Sequence, residues 1–522
     1  MSALAALVAA AVGWQVGSPR CAGAAPRSPP PALAADGVTK LDKVRPGELD
    51  KRAERRRIMS QDKYKRGNAP FERSTHTAVA EKMSQAFASD LVQQMKEGTT
   101  RELVKGEGSR AITFQLAQEY GFCWGVERSI ELAWAARDAY PDRPMHITNE
   151  LIHNPGVNGL LKARRRPGAG GIGRGCRVDM DINFIEQTEE GKRFGDIEDG
   201  DVVILPAFGG PRSRPGGPAA PPSLTSRGRS VGASLEEMQM LDQRGVTVVD
   251  TTCPWVWTTV DKHAQKQMTS VPRARRVIHG KWAHEESVAT ASMAQHYIII
   301  KDLEEAREIA AYIMGEEGAL TDEELLDKYK NAVSEGFDPK KHLKKIGVAN
   351  QTTMYKKENA GGGGLAFRYF PNGAIGKLLE KAMIQAYGPE HAAENFAAFD
   401  TICDATQVRQ DAITEMSDPE SAAALDFVLV VGGWDSSNTA HLLEIPIAAG
   451  MTGYHINEAS CIAADGTITH RTVEGEVVTT TDFLPLDRPA RIGVTSGAST
   501  PDSVVQECLE QLVLLKSLSG EE

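Results

Sequence analysis

The chain has 522 residues, of which 41% are hydrophobic and 25% charged, and a formal net charge of -11. That length suits about three domains at roughly 150 residues each, and the acidic balance excludes the basic surplus of a nucleic-acid binder. No run of about 18 apolar residues reads as a membrane span, and 7 scattered cysteines are too sparse for a disulfide framework, so they read as thiols.

Residues 1–39 come first and read as a targeting peptide. The opening 35 lack Asp and Glu, carry only Arg20 and Arg27 as charges, and are rich in Ala, Pro and Ser. SALAALVAAAVGW suits a secretory signal and AGA a cleavage site, so a two-part leader, as plastids inside extra membranes use, joins both features. A tail without an address is the plainer alternative. Residues 40–110 form a charged, helical extension. LDKRAERRRIMSQDKYKRG has too few apolar positions to bury itself and predicts a solvated arm, whose basic run 51–66 suits an acidic partner or none. HTAVAEKMSQAFASDLVQQMKEG predicts one amphipathic helix docked on the core. No chemistry is expected here.

From residue 111 strands and helices alternate. AITFQLA predicts a strand, Cys123 follows, and Val126, Ile130, Ala133 and Trp134 then line one helical face. VTVVD runs into Cys253, with Pro254 at a first helical position. FDTIC ends at Cys403, and a helix follows. Three strand–Cys–helix units predict an α/β fold of three related modules: residues 111–252 with low-complexity inserts, 253–402 and 403–517, before a tail at 518–522. Free N–H groups and the dipole at a helix N-terminus favour a thiolate, the form that binds metal. Three such thiolates brought together make a metal centre drawn from separate domains. On spacing alone, three buried structural cysteines remain the alternative.

Polar motifs end the other predicted strands. MHITNELIHNPGVN supplies His153; RVIHGKWAHEES supplies His279, His284 and Glu286; IGVANQTTM supplies Thr352. DFVLVVGGWDSSNTAHL runs from an apolar strand into Ser436, Ser437 and Asn438, and RIGVTSGASTPD leads through Ser499 into a helix. Ligands of open α/β sheets bind beyond the carboxyl ends of strands, and hydroxyls, amides and histidines beside a helix N-terminus make an anion site. A diphosphate suits it. Each motif has an ordinary reading as well: structural histidines, turn and capping loops, a solvated Glu286. His279 is read as structural. Coincidence with three junction cysteines is what favours a site.

FCWGVERS, HNPGVN, VVDTTCPWV, IHGKWAHEES, NQTTM, FDTICDATQVRQDA, VVGGWDSSNT and VTSGASTPD occur in this order across residues 111–517. Together they resemble the 4-hydroxy-3-methylbut-2-enyl diphosphate reductases of plants and cyanobacteria, the last enzymes of the methylerythritol phosphate route to isoprenoids. The resemblance implies three α/β domains around a central 4Fe–4S cluster held by Cys123, Cys253 and Cys403, with one iron open to act as a Lewis acid. It implies reductive loss of the substrate hydroxyl as water, giving isopentenyl and dimethylallyl diphosphate. Glu286 matches the proton donor and Thr352 the residue that holds the hydroxyl. His153, His284, Ser436, Ser437, Asn438 and Ser499 match the diphosphate-binding groups. Surrounding negative charge should raise the Glu286 carboxyl, protonated histidines should bind the diphosphate better, and Trp124 should shield the cluster. The implied partner is an electron donor, ferredoxin in a plastid stroma; a homodimer is compatible with the sequence.

The pattern departs from the family in two ways. Phe208, in PAFGG, stands where bacterial relatives carry a substrate-touching histidine, as in the plant-type form, which leaves open how many histidines meet the diphosphate. Four Gly/Pro/Arg-rich stretches interrupt the resemblance at 162–177, 211–232, 271–276 and 358–373 and cannot bury apolar area. Some are expected to be retained introns translated in frame; lineage-specific surface loops are the competing reading, and the transcript sequence separates the two. Cys176 lies in an insert, Cys21 in the leader, and Cys461 and Cys508 outside the ligand motifs. Rival functions are a quinolinate synthase, an aconitase-type hydro-lyase, or a structural iron–sulfur or zinc protein. Hydroxyl loops with paired histidines favour a diphosphate over a polycarboxylate, which would call for arginine forks, and structural zinc would need a fourth ligand.

Overall fold

The structure, a computed structural model, describes residues 51–67, 70–98, 101–162, 180–185, 187–188, 191–192, 194–207, 235–256, 275–282, 284–292, 294, 296–354, 373–398, 401–422 and 424–518. The leader, Phe208 and nearly all of the four low-complexity stretches lie outside the described residues.

Three main sheets carry the fold. The first is wholly parallel, in the spatial order Tyr64–Lys65, Thr247–Asp250, Val202–Leu205, Met145–Ile147, Ile182–Phe184. A second parallel sheet runs Tyr297–Ile300, Arg275–His279, Ile346–Asn350, Phe396–Ala398. The third has seven strands, Val477–Thr480, Ile468–Arg471, Gly453–Ile456, Phe427–Val431, Ala490–Ser496, Ile112–Leu116 and Glu102–Lys105, parallel through the middle four and antiparallel at both edges. Inner parallel strands are covered on both faces, which is why VVIL and FVLVV are apolar and buried throughout. The α/β class expected from the alternating pattern is the one found.

Chain order and sheet membership diverge at a point that matters for the site. The strand Ile112–Leu116 does not head the first sheet; it pairs with Ala490–Ser496 in the third. Its buried Ile112, Phe114 and Leu116 join the core around Phe427 and Val431, whereas Val126, Ile130, Ala133 and Trp134 of the next helix, Trp124–Ala139, pack with Met145, Ile147 and Val249 of the first. Cys123 therefore stands where the chain crosses between two sheets.

The N-terminal extension also differs from expectation. Residues 51–67 are not a solvated arm: Lys51–Met59 is a helix and Tyr64–Lys65 an edge strand on Thr247–Asp250. Ile58 and Tyr64 are buried, the Tyr64 hydroxyl donates to Asp250 Oδ2 at 2.9 Å, and Arg57 and Lys63 pair with Asp242. A few well-placed apolar groups outweigh the basic composition. The amphipathic segment is two helices, Arg73–Phe87 and Asp90–Glu97, because Ser89 caps the second through its hydroxyl and the Val92 N–H at 2.9 Å. The last residues of VPRARR, Arg275 and Arg276, begin an inner strand of the second sheet instead of ending a loop.

Candidate active site

Each cysteine ends a strand-to-helix turn. Cys123 is the N-cap of Trp124–Ala139 and Cys403 that of Asp404–Met416, while Pro254 opens the helical turn after Cys253. Their backbone N–H groups share one pattern, donating to the loop beyond another strand: Cys123 to Ala498 O at 3.0 Å, Cys253 to Ala207 O at 3.1 Å, Cys403 to Thr352 O at 3.0 Å. The thiols converge. A Cβ on Gly125 would lie 2.5 Å from Cys253 Sγ and 4.0 Å from Cys123 Sγ, so the two sulfurs are no further apart than the sum of those distances. The charges of both act on Cys403.

Helix N-termini alone do not make these groups thiolates. Burial pushes the Cys253 thiol up to about 11, against the downward pull of the Trp255 and Val256 N–H groups, and pushes Cys403 up to about 12, against Thr406. A bound cationic metal group would displace those protons. Among the described residues no three His, Cys, Asp or Glu side chains gather closely enough for a single metal ion. Three cysteine sulfurs are a donor set that an iron–sulfur group takes. Trp124 is 53% exposed and covers less of this region than its position suggests.

Glu286 and Thr352 meet directly. The Thr352 N–H donates to Glu286 Oε1 at 2.6 Å and its hydroxyl to Oε2 at 2.9 Å, and Glu286 is 1% exposed. Burial raises the carboxyl to about 7 while both Thr352 donors pull it down. The direction is the one expected, but the cause is burial and not neighbouring negative charge. Glu286 also acts electrostatically on Cys253, and the Thr352 carbonyl accepts the Cys403 N–H, so this carboxyl is linked to two of the cysteines.

The anion-site candidates come together from all three sheets. His153 and His284 stand edge to face with ring centroids 6.0 Å apart. The Glu286 N–H donates to His284 Nδ1 at 3.2 Å, so the neutral ring carries its proton on Nε2. Withdrawal from water lowers His153 and takes His284 down to about 3, so both rings are neutral before an anion arrives. Ser499 Oγ donates to His153 O at 3.2 Å, and a Cβ on Gly433 would collide with that same carbonyl, so only glycine permits the approach. Ser436 caps the helix Ser437–Ala448, accepting from Thr439 N at 3.3 Å, and Ser437 is buried beside it. Asn438 Oδ1 accepts from Ala498 N at 3.0 Å, which leaves its buried Nδ2 without a partner among the described residues. An orphaned donor is what an anion site requires. His279, read as structural, bonds Asn350 Oδ1 at 3.1 Å.

His441 escaped the sequence reading. Its Nδ1 donates to Thr353 O at 2.8 Å, tying the Ser436–Asn438 helix to the Thr352 turn, and its field acts on His284. It lies four residues after Ser437, on the same helical face, which is the signal that could have revealed it.

Residues 114–215 and 227–513 match the family described as LytB protein. This chain belongs to the LytB family. The match breaks inside the Pro-rich stretch 211–232. A LytB relative from Botryococcus braunii, named 4-hydroxy-3-methylbut-2-enyl diphosphate reductase, chloroplastic, is 45% identical over 415 residues, which cover 78% of this chain and 70% of the relative. One from a Picosynechococcus species, named 4-hydroxy-3-methylbut-2-enyl diphosphate reductase, is 40% identical over 442 residues, 84% of this chain and 92% of the relative. Among solved structures, the E-1-hydroxy-2-methyl-but-2-enyl-4-diphosphate reductase from Plasmodium falciparum is similar at 17% identity and a TM-score of 0.46, over 76% of this chain and 86% of that one. Membership in the LytB family rests on the family match and the sequence relatives, not on this structural likeness.

Proposed function

We propose that this LytB chain reduces 4-hydroxy-3-methylbut-2-enyl diphosphate to isopentenyl and dimethylallyl diphosphate, as the names of its relatives suggest. Two electrons and two protons release the substrate hydroxyl as water and leave one new C–H bond, at either end of the allyl unit. One observation carries the reading: Thr352 donates twice to the buried Glu286 carboxyl while its carbonyl receives the Cys403 N–H, which joins a proton source to a thiol ligand through one residue. Cys123, Cys253 and Cys403 would hold a 4Fe–4S cluster; when bound, it supplies electrons and an open iron that acts as a Lewis acid.

The chain's own groups do the rest. His153, His284, Ser436, Ser437, Asn438 and Ser499 bind the diphosphate, the orphaned Asn438 Nδ2 donating to it. The anion raises the depressed histidines, so that they protonate on contact and offset its charge. Thr352 Oγ1 orients the substrate hydroxyl, and Glu286, protonated near pH 7, gives its proton. Burial of the Glu286–Thr352 pair keeps bulk water from competing for that proton. The electron donor fits a ferredoxin and the compartment a plastid, in keeping with the chloroplastic relative. The unit bounds 111–252, 253–402 and 403–517 stand as the proposed domain division, with Ile112–Leu116 lent to the third sheet.

The test is anaerobic turnover with reduced methyl viologen, with Cys253→Ser and Glu286→Gln in parallel. Five-carbon diphosphates from the unmutated chain, lost in both variants, are the expected result. Equal turnover in Glu286→Gln would remove the proton donor from this scheme.

A further inference from the structure

Two buried arginines take no part in the chemistry above. Arg128 is 5% exposed and Arg409 3% exposed, an unusual placement for a side chain that cannot shed its charge. Arg128 lies in the second turn of Trp124–Ala139, behind Cys123, and Arg409 in the second turn of Asp404–Met416, behind Cys403. Helical side chains lean toward the N-terminus. Each long side chain therefore reaches back past the start of its own helix.

What each one grasps is the loop in front of a different cysteine. Arg128 Nη1 donates to the carbonyls of Thr251 and Thr252 at 3.4 and 3.3 Å, the two residues that precede Cys253, and Nη2 donates to Gly67 O at 2.5 Å. Arg409 Nη2 donates to Gly121 O at 2.8 Å and Tyr120 O at 3.4 Å, in the turn that delivers Cys123, while Nη1 returns to Ala405 O at 2.8 Å. The helix behind Cys403 thus holds the loop of Cys123, and the helix behind Cys123 holds the loop of Cys253.

Carbonyls solvate a guanidinium without neutralising it. Burial works against both charges; the negative groups that act on Arg409 are, in order, Cys123, Glu119 and Cys403, and on Arg128 they are led by Asp250 and then Cys253. The Nε–H of each is buried with no partner among the described residues. A buried cation is costly unless opposite charge lies near, and cysteine thiolates holding a cluster would add to the charge of Asp250 and Glu119.

We propose that Arg128 and Arg409 are positioning residues for the iron–sulfur cluster: each fixes the loop that presents another helix's cysteine, and together they place positive charge beside the thiolates, favouring the reduced state. This rests on the reading of the three cysteines as cluster ligands. The full chain, assembled anaerobically with iron and sulfide, is compared with Arg128→Gln, Arg128→Lys, Arg409→Gln, Arg409→Lys and Cys253→Ser for iron per chain, rate of iron loss to a chelator, and midpoint potential. Both Gln variants should shift the potential to more negative values and lose iron at least tenfold faster. The Lys variants should keep the potential but lose iron faster, because an ammonium retains the charge and cannot span two carbonyls as the fork does. Gln variants with unmutated potential and iron retention would overturn the proposal. Should the Gln variants fail to fold by thermal unfolding, Lys variants that retain iron like the unmutated chain would overturn it. An unmutated chain that takes up no more iron than Cys253→Ser would refute the cluster reading, and the proposal with it.

Discussion

In the proposed scheme the chemistry turns, at the scale of single residues, on Glu286. Its folded carboxyl is raised to about 7 by burial, so its contribution to stability is full below the unfolded carboxyl pKa and is lost as pH rises through about 7. Glu286→Gln should therefore stabilise the cluster-free protein at pH 8 relative to pH 5, by on the order of 3 kcal/mol from the size of the shift, measured by denaturant unfolding at both pH values. Turnover of the unmutated enzyme should fall as pH rises through the same range, because the proton leaves the donor. A second expectation concerns His441. His441→Leu should lower kcat about tenfold with KM changed less than threefold, as the Thr353 anchor is lost, and His441→Asn, whose amide can donate to the same carbonyl, should recover most of it; steady-state kinetics decide. Much of this site was legible: the cysteines, Glu286, Thr352 and the hydroxyl loop announce themselves as strand-end motifs. The Glu286 burial, the His441 contact and the two arginines were not, because each depends on which loop another part of the chain brings alongside.

At the scale of elements, the extension before residue 111 is part of the fold. Val79, Met83 and Phe87 pack with the first core, Val92 and Met95 with the third, and Gly67 O receives Arg128. A chain starting at residue 111 loses these and the strands Tyr64–Lys65 and Glu102–Lys105, so it should unfold at a markedly lower temperature than one starting at residue 51; calorimetry on both checks this. An equal midpoint would show the extension to be dispensable. The sequence hid this because KRAERRRIM is basic and lacks a regular apolar stripe, while its anchors, buried Ile58 and Tyr64 and the Asp242 ion pairs, are scattered. The alternation of strands and helices was plain from apolar runs ending in polar motifs. The pairing of Ile112–Leu116 with Ala490–Ser496 was not, since register between segments so distant in sequence leaves no local trace.

At the scale of the whole molecule, the proposed site lies where loops of three sheets meet. His153, His284 and the Ser436–Asn438 helix start belong to different sheets, and the histidines are neutral until an anion arrives. Diphosphate binding should therefore take up protons near neutral pH, read by calorimetry in two buffers of different ionisation enthalpy; no difference between buffers would mean that the histidines stay neutral. The measurement to make above all is anaerobic turnover of 4-hydroxy-3-methylbut-2-enyl diphosphate in deuterium oxide by the cluster-loaded chain, with products weighed by mass spectrometry. Isopentenyl and dimethylallyl diphosphate each carrying one new deuterium at carbon, formed only when a reductant is present, is the result expected of an exchangeable proton donor acting on a reduced substrate. Loss of water without a reductant, or no product from a fully loaded chain, would contradict it.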